Sequence, residues 1–191
     1  MRLVFDIETD DLNATKIWCI VAKDIDTEQV YTYGPSQIDE GCELLSDADE
    51  LIGHNIIGFD IPVLKDLTRF KTLGEGQRIV DTLVLSRLFD PVREAGHGLK
   101  SWGYKLSSNK IDFKDFTGGF SPEMLDYCVQ DVELNLKVYH ALREESRGFS
   151  KESLEIEHAV ALILKEQEKH GFLYDAMEAD LLLADLRSVV A

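Results

Sequence analysis

An α/β fold with a mixed sheet flanked by helices, followed by a C-terminal helical extension, is predicted by three features of the chain. Three runs near the N-terminus, residues 2–5, 17–23 and 29–33, have the apolar and β-branched content of strands, with polar and turn-forming residues between them. From Ser36 onward, stretches with helical apolar spacing alternate with short apolar runs. After a charged break at residues 144–150, only helical stripes remain. An antiparallel meander followed by helix–strand alternation gives a mixed sheet.

The first strand leads directly into Asp6-Ile7-Glu8-Thr9. Past Ser36, a helix is expected through Leu44 and Leu45, then a buried strand at 50–53 ending at His54-Asn55. Residues 57–70 have apolar residues at helical intervals, and Pro62 is tolerated there because it falls in the first turn. A short strand at 78–80 precedes a helix through Leu83, Leu85 and Leu88 that stops before Pro91. A glycine-bearing stretch leads to a short helix at 99–104, and 107–119 reads as loop. Ser121-Pro122-Glu123 opens a long helix, with proline at its favoured first position, running through Tyr127 and Asp131 toward Leu142. The charged break divides the chain into residues 1–148 and 149–191. Beyond it, Leu154, Ile156, Val160, Ile163 and Leu164 form a helical stripe, Gly171 is a stop, and a last helix spans 177–189. A chain ending near residue 148 is therefore expected to keep both fold and activity.

The 191 residues are 45% hydrophobic, enough for a full core, which excludes a disordered chain. A net charge of −16 excludes a broad basic surface gripping duplex phosphates. It leaves room for a phosphodiester-cleaving site, where bound cations supply the positive charge. Cys19, Cys42 and Cys128 are odd in number and form no CxxC pair, so neither a disulfide framework nor structural zinc is indicated. With no apolar run the length of a signal or membrane span, the expectation is a cytoplasmic protein with no membrane partner.

Asp6 and Glu8 carry the strongest chemical signal. Residues two apart on a strand face the same way, so two carboxylates are aimed at one point, an arrangement suited to a divalent cation with hard oxygen ligands. Asp60 follows the short strand and opens a helix, where a carboxylate also complements the helix dipole. Tyr127 and Asp131, four apart, share a helix face.

In this order the residues resemble the three motifs of the DEDD superfamily of 3′→5′ exonucleases, in the subclass with tyrosine in the third motif. Asp6-Ile7-Glu8-Thr9 matches the first motif, Asn55 with Phe59-Asp60 the second, and Tyr127-x-x-x-Asp131 the third. Asp81 to Leu88, Trp102, Glu157-His158 and His170-Gly171-Phe172 are similar to the N-terminal part of the family A DNA polymerases of short-tailed bacteriophages. The resemblance implies an RNase H-like fold, a proofreading exonuclease domain at 1–148, and the start of a polymerase portion at 149–191. It also implies two-metal phosphodiester hydrolysis with Mg²⁺ or Mn²⁺, the ions roughly 3.5–4 Å apart.

By the same resemblance, Asp6 bridges both ions, Glu8 and Asp131 complete one site, and Asp60 holds the second ion. Tyr127 orients the attacking water, and Thr9 and Leu12 contact the terminal nucleotide. Leu12 is read either as an apolar wedge between the last bases or as core packing. Asn55, next to Phe59, either binds the strand near the scissile phosphate or fixes the loop before Asp60. The implied substrate is a single-stranded or frayed DNA 3′ end. The implied partner is a polymerase portion, in cis or as a separate chain, and a viral protein of this kind works in the host cytoplasm. Two alternatives stand beside this reading: an RNA-processing exoribonuclease of the same superfamily, and a catalytically silent DNA-binding part of a polymerase. Zinc is rejected, because no pair among His54, His97, His140, His158 and His170 has close ligand spacing.

Overall fold

The computed structural model describes residues 1–71, 76–108, 113 and 115–190.

 Of the segment read as loop from 107 to 119, residues 109–112 and 114 lie outside them.

Five strands form one sheet: β1 (Arg2–Thr9), β2 (Ile17–Asp24), β3 (Val30–Tyr33), β4 (Glu50–Gly53) and β5 (Arg78–Asp81). Seven helices accompany them among the described residues: α1 (Ile38–Ser46), α2 (Asp60–Leu67), α3 (Thr82–Phe89), α4 (Leu99–Lys105), α5 (Pro122–Glu145), α6 (Lys151–His170) and α7 (Ala176–Val190). The strand order is β3-β2-β1-β4-β5, with β1, β2 and β3 antiparallel and β1, β4 and β5 parallel. The mixed sheet with its helical C-terminal part is the fold expected from the sequence.

β1 runs four residues beyond the expected end at residue 5, because pairing with β2 carries the acids into the ladder, Asp6 opposite Val21 and Glu8 opposite Cys19. Acidic residues are poor strand formers, and here tertiary pairing overrides the local preference. As the central strand, β1 is covered on both faces. Leu3, Phe5 and Ile7 pack with Cys42 and Leu45 of α1 and with Ile61 and Leu64 of α2. Val4 packs with Cys128 and Val132 of α5 on the other face. Strand alternation therefore turns Asp6 and Glu8 toward α5.

Three helix starts are capped by side chains, the first of them the Ser121 start expected from the sequence. Ser121 caps α5 by accepting the Met124 N–H at 3.2 Å, with Pro122 in the first turn. Ser150 caps α6 through Ser153 N–H at 3.2 Å, and Asp81 caps α3. Gly171 ends α6 at φ 62°, a conformation that favours glycine. α6 docks through one stripe, Leu154, His158, Ala161 and Lys165, which is half-buried while most of the helix is exposed. Leu154 joins the cluster of Leu85, Trp102, Val138 and Leu142. Among the described residues, no helix is long and apolar enough to cross a membrane.

Candidate metal centre

The acids gather at the C-terminal end of β1, beside the C-terminal end of its parallel neighbour β4, the usual location of sites in open α/β sheets. One potential ligand atom from each of Asp6, Glu8 and Cys128 lies within 4.8 Å of the others. Asp60 reaches the strand from the α2 side: its Oδ1 accepts the N–H of Ile7, the residue between Asp6 and Glu8, at 3.2 Å. Asp131 is buried one turn along α5 from Cys128, on the same helix face. Neither Asp60 nor Asp131 belongs to the 4.8 Å group. Tyr127 is half-buried, its ring 5.7 Å from that of Phe113 and 6.0 Å from that of Phe116.

The electrostatics suit a hard cation. Burial pushes the Asp60 carboxyl up to about 7 and nearby Asp81 pushes the same way, while backbone N–H donors, its own and that of Ile7, pull against them. This carboxylate is only 3% exposed, so a divalent ion would supply a counter-charge where burial disfavours the anion. Cys128 differs from the acids. Burial first, then Cys19, Asp6 and Glu8, hold its thiol well above the usual range, and its S–H donates to Asp6 O at 3.6 Å and to Asp6 Oδ2 at 3.7 Å. A neutral thiol is a poor ligand for an oxygen-seeking ion, so Cys128 orients Asp6 and the carboxylates fit the metal.

The turn before Asp60 is built around Asp81, to which the sequence reading gave no role beyond its place in the segment similar to phage polymerases. Asp81 accepts from Asn55 N at 2.9 Å, Ile57 N at 3.0 Å, and the α3 amides of Leu83 at 2.9 Å and Val84 at 3.4 Å. An acid immediately before a helical run is a capping signal, and Asp81-Thr82-Leu83 carries it. Asn55 adopts φ 66°, and a Cβ on Gly58 would fall 2.4 Å from its Oδ1, so a larger residue at 58 would displace the Asn55 side chain. A Cβ on Gly53 would meet Ile56 Cγ2 at 2.1 Å.

The remaining residues expected at the site differ in exposure. Thr9 is buried and donates through Oγ1 to Asp11 O at 2.9 Å. Leu12 is 85% exposed, which excludes core packing. Asn55 is exposed, and Phe59 packs against the core at the start of α2.

The mixed sheet and its flanking helices form an RNase H-like fold. The chain is 27% identical to the DNA-directed DNA polymerase of Escherichia phage T7 over an alignment of 245 positions that covers 96% of this chain. It is 26% identical, at the same coverage, to that of Enterobacteria phage T3. It spans 35% of the length of these curated relatives. No family model matches the chain. Among solved structures it resembles Brucella melitensis NrnC with bound Mg²⁺, with a TM-score of 0.67 and 19% identity, covering 92% of this chain and 89% of that one. It also resembles Escherichia coli RNase D, an exoribonuclease, with a TM-score of 0.62 and 16% identity, covering 86% of this chain and 44% of that one. The expected resemblance to phage polymerases and to exonucleases of this fold is thus found.

Proposed function

We propose that this chain is a metal-dependent 3′→5′ exonuclease acting on single-stranded or frayed DNA ends, the proofreading module of a phage-type DNA polymerase. The observation that carries the reading is the convergence of Asp6, Glu8 and Asp60 at one end of β1, with Asp131 on the helix packed over it. Asp6, Glu8, Asp60 and Asp131 would hold two divalent ions, Mg²⁺ or Mn²⁺. Bound there, the ions would activate a water and neutralise charge on the leaving 3′ oxygen. Tyr127 would orient the attacking water by hydrogen bond; with a reference pKa of about 10 it is a poor base at neutral pH. Cys128 and the Ile7 amide would keep Asp6 and Asp60 in place. Thr9, Leu12, Asn55 and Phe59 would contact the terminal nucleotides.

Within this reading, residues 1–148 form the exonuclease domain, and 149–191 begin a polymerase portion that would work in cis or as a separate chain in the host cytoplasm. A silent domain has no use for acids gathered at cost, which favours an enzyme.

Similarity to phage DNA polymerases along 96% of the chain favours DNA. The second reading, an exoribonuclease, is supported by the likeness to RNase D. The test is digestion of 5′-labelled DNA and RNA of one sequence in Mg²⁺, with products resolved on a gel. DNA shortened stepwise from its 3′ end faster than RNA supports the first reading, faster loss of RNA supports the second, and internal cleavage defeats both.

A further inference from the structure

The helix that carries Tyr127 and Asp131 is seated mainly by apolar side chains. Cys128, Val132 and Tyr139 of α5 cluster with Val4 and Ile52 of the sheet, and Leu134, Val138 and Leu142 cluster with Leu85 of α3 and Trp102 of α4. Apolar burial is non-directional, so it fixes that α5 covers the sheet more firmly than how far the helix is turned or slid along it. A buried polar contact interrupts this packing. Asn135 Oδ1 accepts the Thr82 hydroxyl at 2.9 Å, and both side chains are buried. The same Oγ1 lies 3.1 Å from the Gly53 carbonyl oxygen and 2.9 Å from His54 Nδ1. Its single proton serves the two carbonyl acceptors, so His54 Nδ1 is the donor on its side.

This contact ties together the two sides of the acidic site. Gly53 ends β4, whose register sets Ile52 beside Val4 of β1, and a Cβ on Gly53 would fall 3.1 Å from the carbonyl oxygen of Phe5, the residue before Asp6. His54 opens the turn that leads to Asp60. On the helix side, Asn135 follows Asp131 by four residues, so the two share a face of α5, and a turn or slide of the helix at 135 is carried to 131. A buried amide among apolar neighbours is an established means of fixing helix register. Its contribution to stability is small by comparison, because without Asn135 the Thr82 proton still has the Gly53 carbonyl to bind and is not left unpaired.

We propose that Asn135 is a positioning residue for the nuclease: held by the Thr82 hydroxyl, it sets the register of α5 over the sheet and so the place of the Asp131 carboxylate relative to Asp6. The proposal rests on the exonuclease reading and extends it to a pair outside the three motifs that acts through Asp131 rather than on the substrate.

The test is Mn²⁺ binding to the full chain, followed by loss of the free-ion electron paramagnetic resonance signal, beside thermal melting of each variant. Asn135→Leu should melt within about 4 °C of the unaltered chain. It should nevertheless bind Mn²⁺ about ten- to a hundredfold more weakly, the usual cost of losing a group that orients a metal ligand. Thr82→Ser keeps the hydroxyl and should bind as the unaltered chain does, whereas Thr82→Val lacks it and should be weakened. Leu134→Ala removes apolar packing from the same helix, so it should lower the melting temperature and leave the Mn²⁺ affinity of the folded chain as it was. A folded Asn135→Leu chain with unaltered Mn²⁺ affinity, or one weakened no more than Leu134→Ala, overturns the proposal, as does an unaltered chain that takes up no Mn²⁺. If Asn135→Leu does not fold, the Thr82 pair decides: equal Mn²⁺ affinity in Thr82→Ser and Thr82→Val overturns it. Failure of the exonuclease reading would show separately, as intact strands after incubation of the unaltered chain with Mg²⁺.

Discussion

His158 of α6 accepts the backbone N–H of Asp81 through Nε2 at 2.9 Å, while its Nδ1 lies 2.7 Å from the carbonyl oxygen of Leu154. A carbonyl only accepts, so Nδ1 carries the proton and the ring is neutral. The helix beyond the charged break is thereby tied to the residue whose carboxylate holds the turn before Asp60.

Asp81→Asn is the sharpest probe of that arrangement. An amide offers one acceptor oxygen where the carboxylate uses two, so either the Ile57 N–H on Oδ2 or the Asn55, Leu83 and Val84 N–H groups on Oδ1 lose their partner. The expected loss is about 2–4 kcal/mol, read as a lower midpoint in urea unfolding, with a fall in nuclease rate as the turn before Asp60 loosens.

Removing α6 and α7 should separate stability from chemistry. A chain ending at residue 148 keeps all four acids and should fold, but it loses the His158 bond and the Leu154 packing. We expect a lower thermal midpoint with nuclease activity kept. An unfolded short chain would show that α6 belongs to the exonuclease core.

The acid sensitivity of the fold should involve Glu145. Burial raises its carboxyl, but the hydrogen bonds from Arg93 and Lys105 outweigh burial and hold it below the ordinary range. A depressed carboxyl stabilises the fold above its unfolded value of about 4.3, and that contribution is lost as pH falls through the lower folded value. Glu145→Gln should therefore cost about 1–2 kcal/mol at neutral pH and progressively less in acid. Denaturant midpoints compared from pH 7 down to pH 3 give the measurement.

Tyr127→Phe keeps the ring packed against Phe113 and Phe116 and removes one hydrogen-bonding group, whereas Asp131→Ala removes a carboxylate proposed to hold metal. Phe at 127 should retain more activity than Ala at 131 in single-turnover assays. The reverse order would remove the water-orienting role.

Much of this was legible in the sequence because it rests on local periodicity. Alternation placed Asp6 and Glu8 on one face, Ser121-Pro122 marked the start of α5, and Gly171 marked the end of α6. The full length of β1 was hidden because its last residues are held by pairing with β2 rather than by their own propensity. The Cys128 bond to Asp6 spans 122 residues, and the clamp of Asp81 on the Asn55 turn spans 26. Contacts of that range depend on how strands and helices stack, which no local pattern records.

The central claim is that the acids at the end of β1 cleave phosphodiesters by holding divalent metal, and the rate of nucleotide release from a single-stranded oligonucleotide tests it most directly. The unaltered chain should be active in Mg²⁺ and silent in excess chelator. Asp6→Ala with Glu8→Ala should lose several orders of magnitude, each tenfold being about 1.4 kcal/mol, while melting at the same temperature or higher because like charges no longer crowd the metal-free site. Undiminished release in chelator, or full activity in the folded double variant, would contradict the account.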